Sequence, residues 1–229
     1  MDVNDQADEI VDFEHEFEPR ADYIPVDQLR AGTAFTDFFQ EVHQKMMARG
    51  THLIVGPRGC GKTHMMRYTW LACLENHSYP FCIYVTFNRY YRLEPILKTR
   101  SNAIELFHVW MLARIVLGAI ETVAELSRLT PDLLNTKQKK LFAEPSNEES
   151  EFNYNKEDLT ILIGKLERNL PLGEAESQLA ITLTTDTITG IIQRLASAAG
   201  RKRSVLLLDD AALTLQPGLL AEGSGSRLR

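Results

Sequence analysis

Lys62 and Thr63 close the octet Gly56-Pro57-Arg58-Gly59-Cys60-Gly61-Lys62-Thr63, and Asp209 and Asp210 close the apolar run Ser204-Val205-Leu206-Leu207-Leu208. These are the residues whose types and spacing can do chemistry. The octet follows the pattern G-x-x-x-x-G-K-[ST], a loop that surrounds phosphate oxygens with backbone N–H groups. Its glycines allow a tight turn and keep Cβ atoms out of the way of the anion. A helix that starts at the end of the loop adds the positive end of its dipole and its unpaired first N–H groups. Lys62 then reaches the β- and γ-phosphates as a point charge. Thr63 offers a hydroxyl to Mg²⁺, which takes a few protein oxygens and keeps several waters. The nucleotide-binding set read from this segment is Gly56, Pro57, Arg58, Gly59, Cys60, Gly61, Lys62, Thr63 and the adjoining His64. Arg58 adds charge or faces solvent, and Cys60 reads as a small filler of the loop. His64, like the other histidines, shows no metal-ligand spacing.

The second group is an apolar strand ending in two carboxylates, the pattern known as Walker B. Asp209 is the candidate magnesium acid, acting with Thr63 and through water. Asp210 stands where a carboxylate that polarises an attacking water belongs, so Asp210 and Lys62 are the candidate catalytic residues. Asp210 is one methylene shorter than glutamate, which predicts slow hydrolysis or a switch that mainly holds its nucleotide.

Elements must position these groups. Leu53-Ile54-Val55 reads as a short buried strand leading into the loop, and a helical pattern from about Lys62 to Asn76 leads away from it. Upstream, Phe35, Phe38, Phe39, Val42 and Met46 fall at helical spacing between Thr33 and Arg49, with Gly50 as a C-terminal cap. Downstream, Phe81-Cys82-Ile83-Tyr84-Val85-Thr86-Phe87 mixes aromatic and β-branched residues as a strand does. Asn102 with Glu105 reads as a capping pair opening a long helix to about Arg128, broken by Pro131. That helix is apolar nearly all round, so it should be buried on several sides rather than span a membrane: Ile104 to Ile120 includes Glu105, His108 and Arg114. Residues 143–157 are polar and acidic and read as an exposed loop or insertion. A helix near Asp158 to Asn169 follows, then a linker with Pro171 and Gly173. Asp186 is placed to cap a helix with Ile188, Ile191, Ile192 and Leu195 on one face, ended by Gly200.

Composition bounds the partners. The chain has 229 residues and a net charge of −6, without the basic surplus of a free-standing nucleic-acid binder. Arg201-Lys202-Arg203 is a short basic cluster, and cations are favoured by the dipole at a helix C-terminus. Cys60, Cys73 and Cys82 are not in metal-ligand spacing and suggest a reducing compartment. The N-terminus is acidic rather than basic followed by apolar, so no signal peptide is read, and a cytoplasmic location is expected. Asn155-Lys156-Glu157-Asp158 matches the guanine-reading pattern N-K-x-D but does not end an apolar strand. It comes before the Asp209 strand, and it reads as a helix N-terminus.

Taken together, the amphipathic helix before the octet, the octet itself, the strand at 81–87 and Leu206-Leu207-Leu208-Asp209-Asp210 resemble AAA+ and STAND P-loop ATPases. Among these, origin-recognition-complex-like ATPases are the nearest in look, and the doubled aspartate also resembles the STAND switches. The resemblance spans roughly residues 21–90 and 186–212. It implies an α/β P-loop NTPase fold, a parallel sheet flanked by helices, with ATP and Mg²⁺ as cofactors. It also implies that Tyr23 to Val26 contact the adenine and that Asn88 is the polar residue restraining the catalytic acid.

Two departures stand out. About 145 residues separate the motifs, which implies a helical insertion over about 100–185. Nineteen residues follow Asp210, and in these families the strand between the P-loop strand and the Walker B strand, the sensor, the arginine finger and the lid come later in sequence. The expected organisation is an acidic tail over 1–20, an incomplete P-loop domain over 21–220 and a Gly/Ser tail over 221–229. The C-terminal part of the fold is missing from that scheme. Without the intervening strand, Thr51–Val55 and Val205–Leu208 should expose apolar surface that invites self-association or a partner protein completing the sheet.

The resemblance implies an ATP-binding, ATP-hydrolysing domain whose nucleotide state drives assembly or a conformational switch. The alternative is a truncated, non-catalytic interaction module with a vestigial loop. A small-molecule kinase fits less well, because the paired acids follow a long insertion and no lid arginines are recognisable. DNA is not supported by this chain alone, and no membrane partner is expected.

Overall fold

The computed structural model describes residues 21–129 and 154–210. The acidic tail, Pro131, most of the acidic stretch 143–157 and everything from Ala211 onward lie outside the described residues. Helices α1 (Val26–Ala31) and α2 (Asp37–Met46) precede the glycine octet, and α3 (Lys62–Glu75) leaves it. Strand β1 (Phe81–Thr86) follows, then α4 (Glu94–Thr99) and the long α5 (Ala103–Leu129). After the undescribed stretch come α6 (Lys156–Glu167), α7 (Glu174–Thr182), α8 (Thr185–Ala198) and β2 (Ser204–Asp209). The architecture is α/β.

The two strands pair in parallel, with Phe81 opposite Ser204 and Thr86 opposite Asp209. Parallel neighbours need a long crossover, and the helices α4 to α8 belong to it. Phe81, Cys82, Ile83 and Val85 are all buried, so both faces of β1 are covered. Helices α3 and α5 pack on β1 and on each other. Trp70 of α3 donates its indole N–H to Thr122 of α5 at 3.1 Å. Helix α5 approaches β1 so closely that a Cβ on Gly118 would lie 2.9 Å from the carbonyl oxygen of Tyr84. Glycine is what permits that contact.

Helix α5 behaves as a core helix, packed on β1, α3, α4, α6 and α8, although by length and composition alone it could cross a membrane. Its junction with α6 buries a carboxylate. Glu167 accepts from the Trp110 indole at 3.3 Å and pairs with Arg92 at 3.5 Å and Arg114 at 3.9 Å. A buried carboxylate is tolerated only with such partners.

Several local expectations shift. Asn155 caps α6 by accepting from the Asp158 N–H at 2.7 Å, so the N-K-E-D segment is a helix N-terminus as its context predicts. Asp186 is not the cap of α8. Thr184 accepts from the Thr187 N–H at 3.2 Å, and Asp186 sits in the first turn, where its charge still suits the dipole. Thr36 likewise caps α2.

The larger correction concerns Leu53-Ile54-Val55, which is neither a strand nor buried. Leu53 is 73% and Val55 is 83% exposed, and only Ile54 is partly buried against the core. A strand exists only where a neighbour supplies hydrogen bonds. Among the described residues β2 pairs with β1 alone, and nothing pairs with 53–55. The outer side of the sheet is correspondingly open, with Leu206 of β2 40% exposed.

Candidate nucleotide-binding site

The octet lies between the unpaired segment 53–55 and the first turn of α3. Gly59 and Gly61 both have φ of +85°, a left-handed conformation that costs glycine nothing. With those two residues turned, Gly61 serves as the N-cap residue and α3 begins at Lys62. Thr63 follows in the same first turn, and its backbone N–H is one of the unpaired donors of a helix start.

The side chain of Lys62 folds back over the loop. Its ammonium donates to the carbonyl oxygens of Gly56 and Pro57, both at 2.8 Å, and lies 3.7 Å from the Cys60 sulfur. A half-buried ammonium needs acceptors, and here the loop's own carbonyls supply them. Arg58 and Cys60 are exposed at the loop tip.

Across the sheet, β2 delivers Asp209 to the same place. Thr63 donates its hydroxyl to Asp209 Oδ2 at 2.7 Å, joining residues 146 positions apart. Tyr84 of β1 donates to the same oxygen at 3.0 Å, and the Asp210 N–H donates to Oδ1 at 3.1 Å. Asp209 is 4% exposed, so these donors replace the water its carboxylate has lost. Having given its proton to Asp209, the Thr63 oxygen keeps lone pairs for a cation. Two adjoining hard oxygens, a hydroxyl and a carboxylate, suit Mg²⁺.

Asp210 is exposed and adopts φ of +59°, which turns the chain at the end of β2. Asn88 follows Phe87, whose N–H extends the ladder by donating to the Asp209 carbonyl at 2.9 Å. Asn88 and Asp210 therefore lie at the same C-terminal edge of the sheet, where open parallel sheets place their ligands.

His64 turns toward the N-terminal segment. Its Nε2 lies 2.7 Å from the Thr33 hydroxyl, which itself donates to the Leu29 carbonyl at 2.6 Å. The single hydroxyl proton is thus used, so His64 Nε2 carries the hydrogen. Burial and then the nearby Arg67 charge pull the His64 pKa below the ordinary range. Arg67 donates to the carbonyls of Ala21 and, at 2.8 Å, Ile24, which seats residues 21–24 against α3. Tyr23 is left 61% exposed.

The far end of α3 is secured by Arg201, which is 5% exposed. Its guanidinium donates to the carbonyls of Asn76, of Tyr79 at 3.0 Å, of Cys73 at 3.1 Å and of Leu74 at 3.4 Å. The cation expected at a helix C-terminus is there, but it serves α3 as well as following α8. Burial pulls its pKa down.

Two contributors escape a reading of motifs. Tyr84 lies mid-strand with no motif of its own. The signal was its parity with Thr86, the register partner of Asp209. Arg67 was hidden in a helix face. Among the described residues, no group of three or more His, Cys, Asp or Glu side chains could hold a metal by itself.

No curated relative and no solved structure matches the chain. A family model described as ORC-CDC6-like matches residues 32–210, a span that takes in α2, the octet, both strands and Asp209. That span is well over half of the chain, which therefore belongs to the ORC-CDC6-like family and carries its AAA+-type nucleotide-binding domain.

Proposed function

We propose that the domain binds ATP with Mg²⁺ and uses the bound nucleotide to drive assembly or a conformational switch, hydrolysing it slowly. The observation that carries this reading is the 2.7 Å hydrogen bond between Thr63 and Asp209. It unites the loop and the acid strand at the one point where a metal would need both. The α/β frame is then read as a P-loop fold, with α5 to α7 as its helical insertion.

In this reading the backbone N–H groups of Gly59 to Thr63 and the Lys62 ammonium hold the phosphates. Lys62 leaves the Gly56 and Pro57 carbonyls to do so, exchanging neutral acceptors for charged ones. Thr63 and Asp209 would hold magnesium, which supplies positive charge beside the phosphates when bound. Tyr23 to Val26, held near α3 by Arg67, flank the base, and Asp210 orients water at the open edge. Phosphoryl transfer asks for positioning and electrostatics rather than covalent chemistry, and this set supplies both. The exposed outer side of the sheet favours assembly with a partner protein or a second copy.

Calorimetric titration with Mg-ATP tests the reading. Saturable binding is expected in the wild type, with Lys62→Ala weakening it at least about tenfold, the scale of a lost charge-assisted contact. Absence of binding to folded wild-type protein would leave the vestigial-loop reading in its place.

A further inference from the structure

We propose that Tyr84 is a positioning residue for the metal-holding carboxylate; this rests on the Mg-ATP reading of the site. Register explains how it reaches. Tyr84 pairs with Leu207 and Thr86 with Asp209, so these four share one face of the sheet. A tyrosine two places before Thr86 extends diagonally to the neighbour of its own partner. Its hydroxyl ends 3.0 Å from Asp209 Oδ2.

The carboxylate is thereby held at three points. Oδ2 accepts from Thr63 and Tyr84, and Oδ1 accepts from the Asp210 N–H. A carboxylate has about four acceptor directions, so fixing these leaves capacity for metal-bound water in a set orientation. Thr63 has a second task in the same reading, because its oxygen must also face the cation. The Asp210 N–H sits on a turn of left-handed backbone at the end of β2. Tyr84 alone comes from the middle of a strand, between the buried Ile83 and Val85, rather than from a helix start or a turn. Partners that orient a ligating carboxylate typically govern metal affinity by about 10- to 100-fold.

Tyr84→Phe keeps the ring and removes only the hydroxyl. ATP binding is measured by calorimetry with EDTA and then across a magnesium series. The expected result is metal-free ATP binding within about twofold of wild type and a magnesium midpoint raised about tenfold. Equal weakening with and without magnesium would overturn the inference, because it would mark a general packing role. An unchanged midpoint would overturn it also, and a lowered one would show that the hydroxyl competes with the cation. Wild-type binding that ignores magnesium, or no binding, would overturn the Mg-ATP reading itself and this inference with it.

Discussion

The two halves of the candidate site are built to different standards. At the acid end, Asp209 is 4% exposed and held by donors from α3, β1 and its own chain. At the loop end, Val55 is 83% exposed and Lys62 donates to two carbonyls and the Cys60 sulfur of the loop it belongs to. The acid end uses contacts between elements already paired and packed. The lead-in to the loop has no strand beside it among the described residues, so nothing orders it into a ladder. Pre-organisation at this candidate site is therefore concentrated at the Asp209 end, and in the proposed reading Lys62 would have to move forward to meet a phosphate.

The difference can be broken experimentally. Ile83→Ala, at a fully buried position of β1, should cost about 3 kcal/mol of stability in a denaturant series, as buried large-to-small changes do. A cost under about 1 kcal/mol would mean the strand core is looser than its burial shows.

Acidification should produce a smaller effect on the helices that frame the loop. His43, bonded to Thr69 at 2.9 Å, and His64 both have pKa values lowered chiefly by burial. The folded state thus binds the proton less readily than the unfolded chain. The stability they contribute is full above the ordinary histidine pKa and is lost as pH falls through the lowered folded values. The expected outcome is a thermal midpoint that falls as pH is lowered from about 7.5 to about 5.5, by less than Ile83→Ala lowers it. His64→Gln should flatten that slope, and a midpoint that rises on acidification would contradict the assignment.

Val55→Ala should be the quietest change, within about 0.5 kcal/mol of wild type in the same denaturant series. A loss comparable to that of Ile83→Ala would erase the comparison, because it would show that Val55 is packed in solution.

Much of the site was legible from local chemistry. The octet with its helix, Asp209 at the end of an apolar strand, and the helix N-terminus at Asn155-Lys156-Glu157-Asp158 each depend on residues within a turn or two of one another. The strand at 81–87 was legible from composition, with β1 ending one residue earlier at Thr86. The strand at 53–55 was misread because an apolar triplet before a glycine loop carries no information about its neighbour. Tyr84 was missed because its role is set by a register partner far along the chain. The cap of α8 went to Thr184 rather than Asp186, a displacement within the ordinary uncertainty of helix boundaries.

By itself, the sequence determined the chemical vocabulary of this protein: a loop of backbone donors, a lysine, a hydroxyl and an acid, each in a local setting that suits phosphate and a hard cation. Glycine torsions, helix dipoles and apolar strands are properties of short segments, so a short segment reveals them. Tertiary structure alone decided which of those groups meet. It brought Thr63 within 2.7 Å of Asp209 and set Tyr84 against the same oxygen, while leaving Leu53 and Val55 in solvent. Hydrogen bonds across a sheet exist only between neighbours, and the choice of neighbour is made by packing of the whole chain.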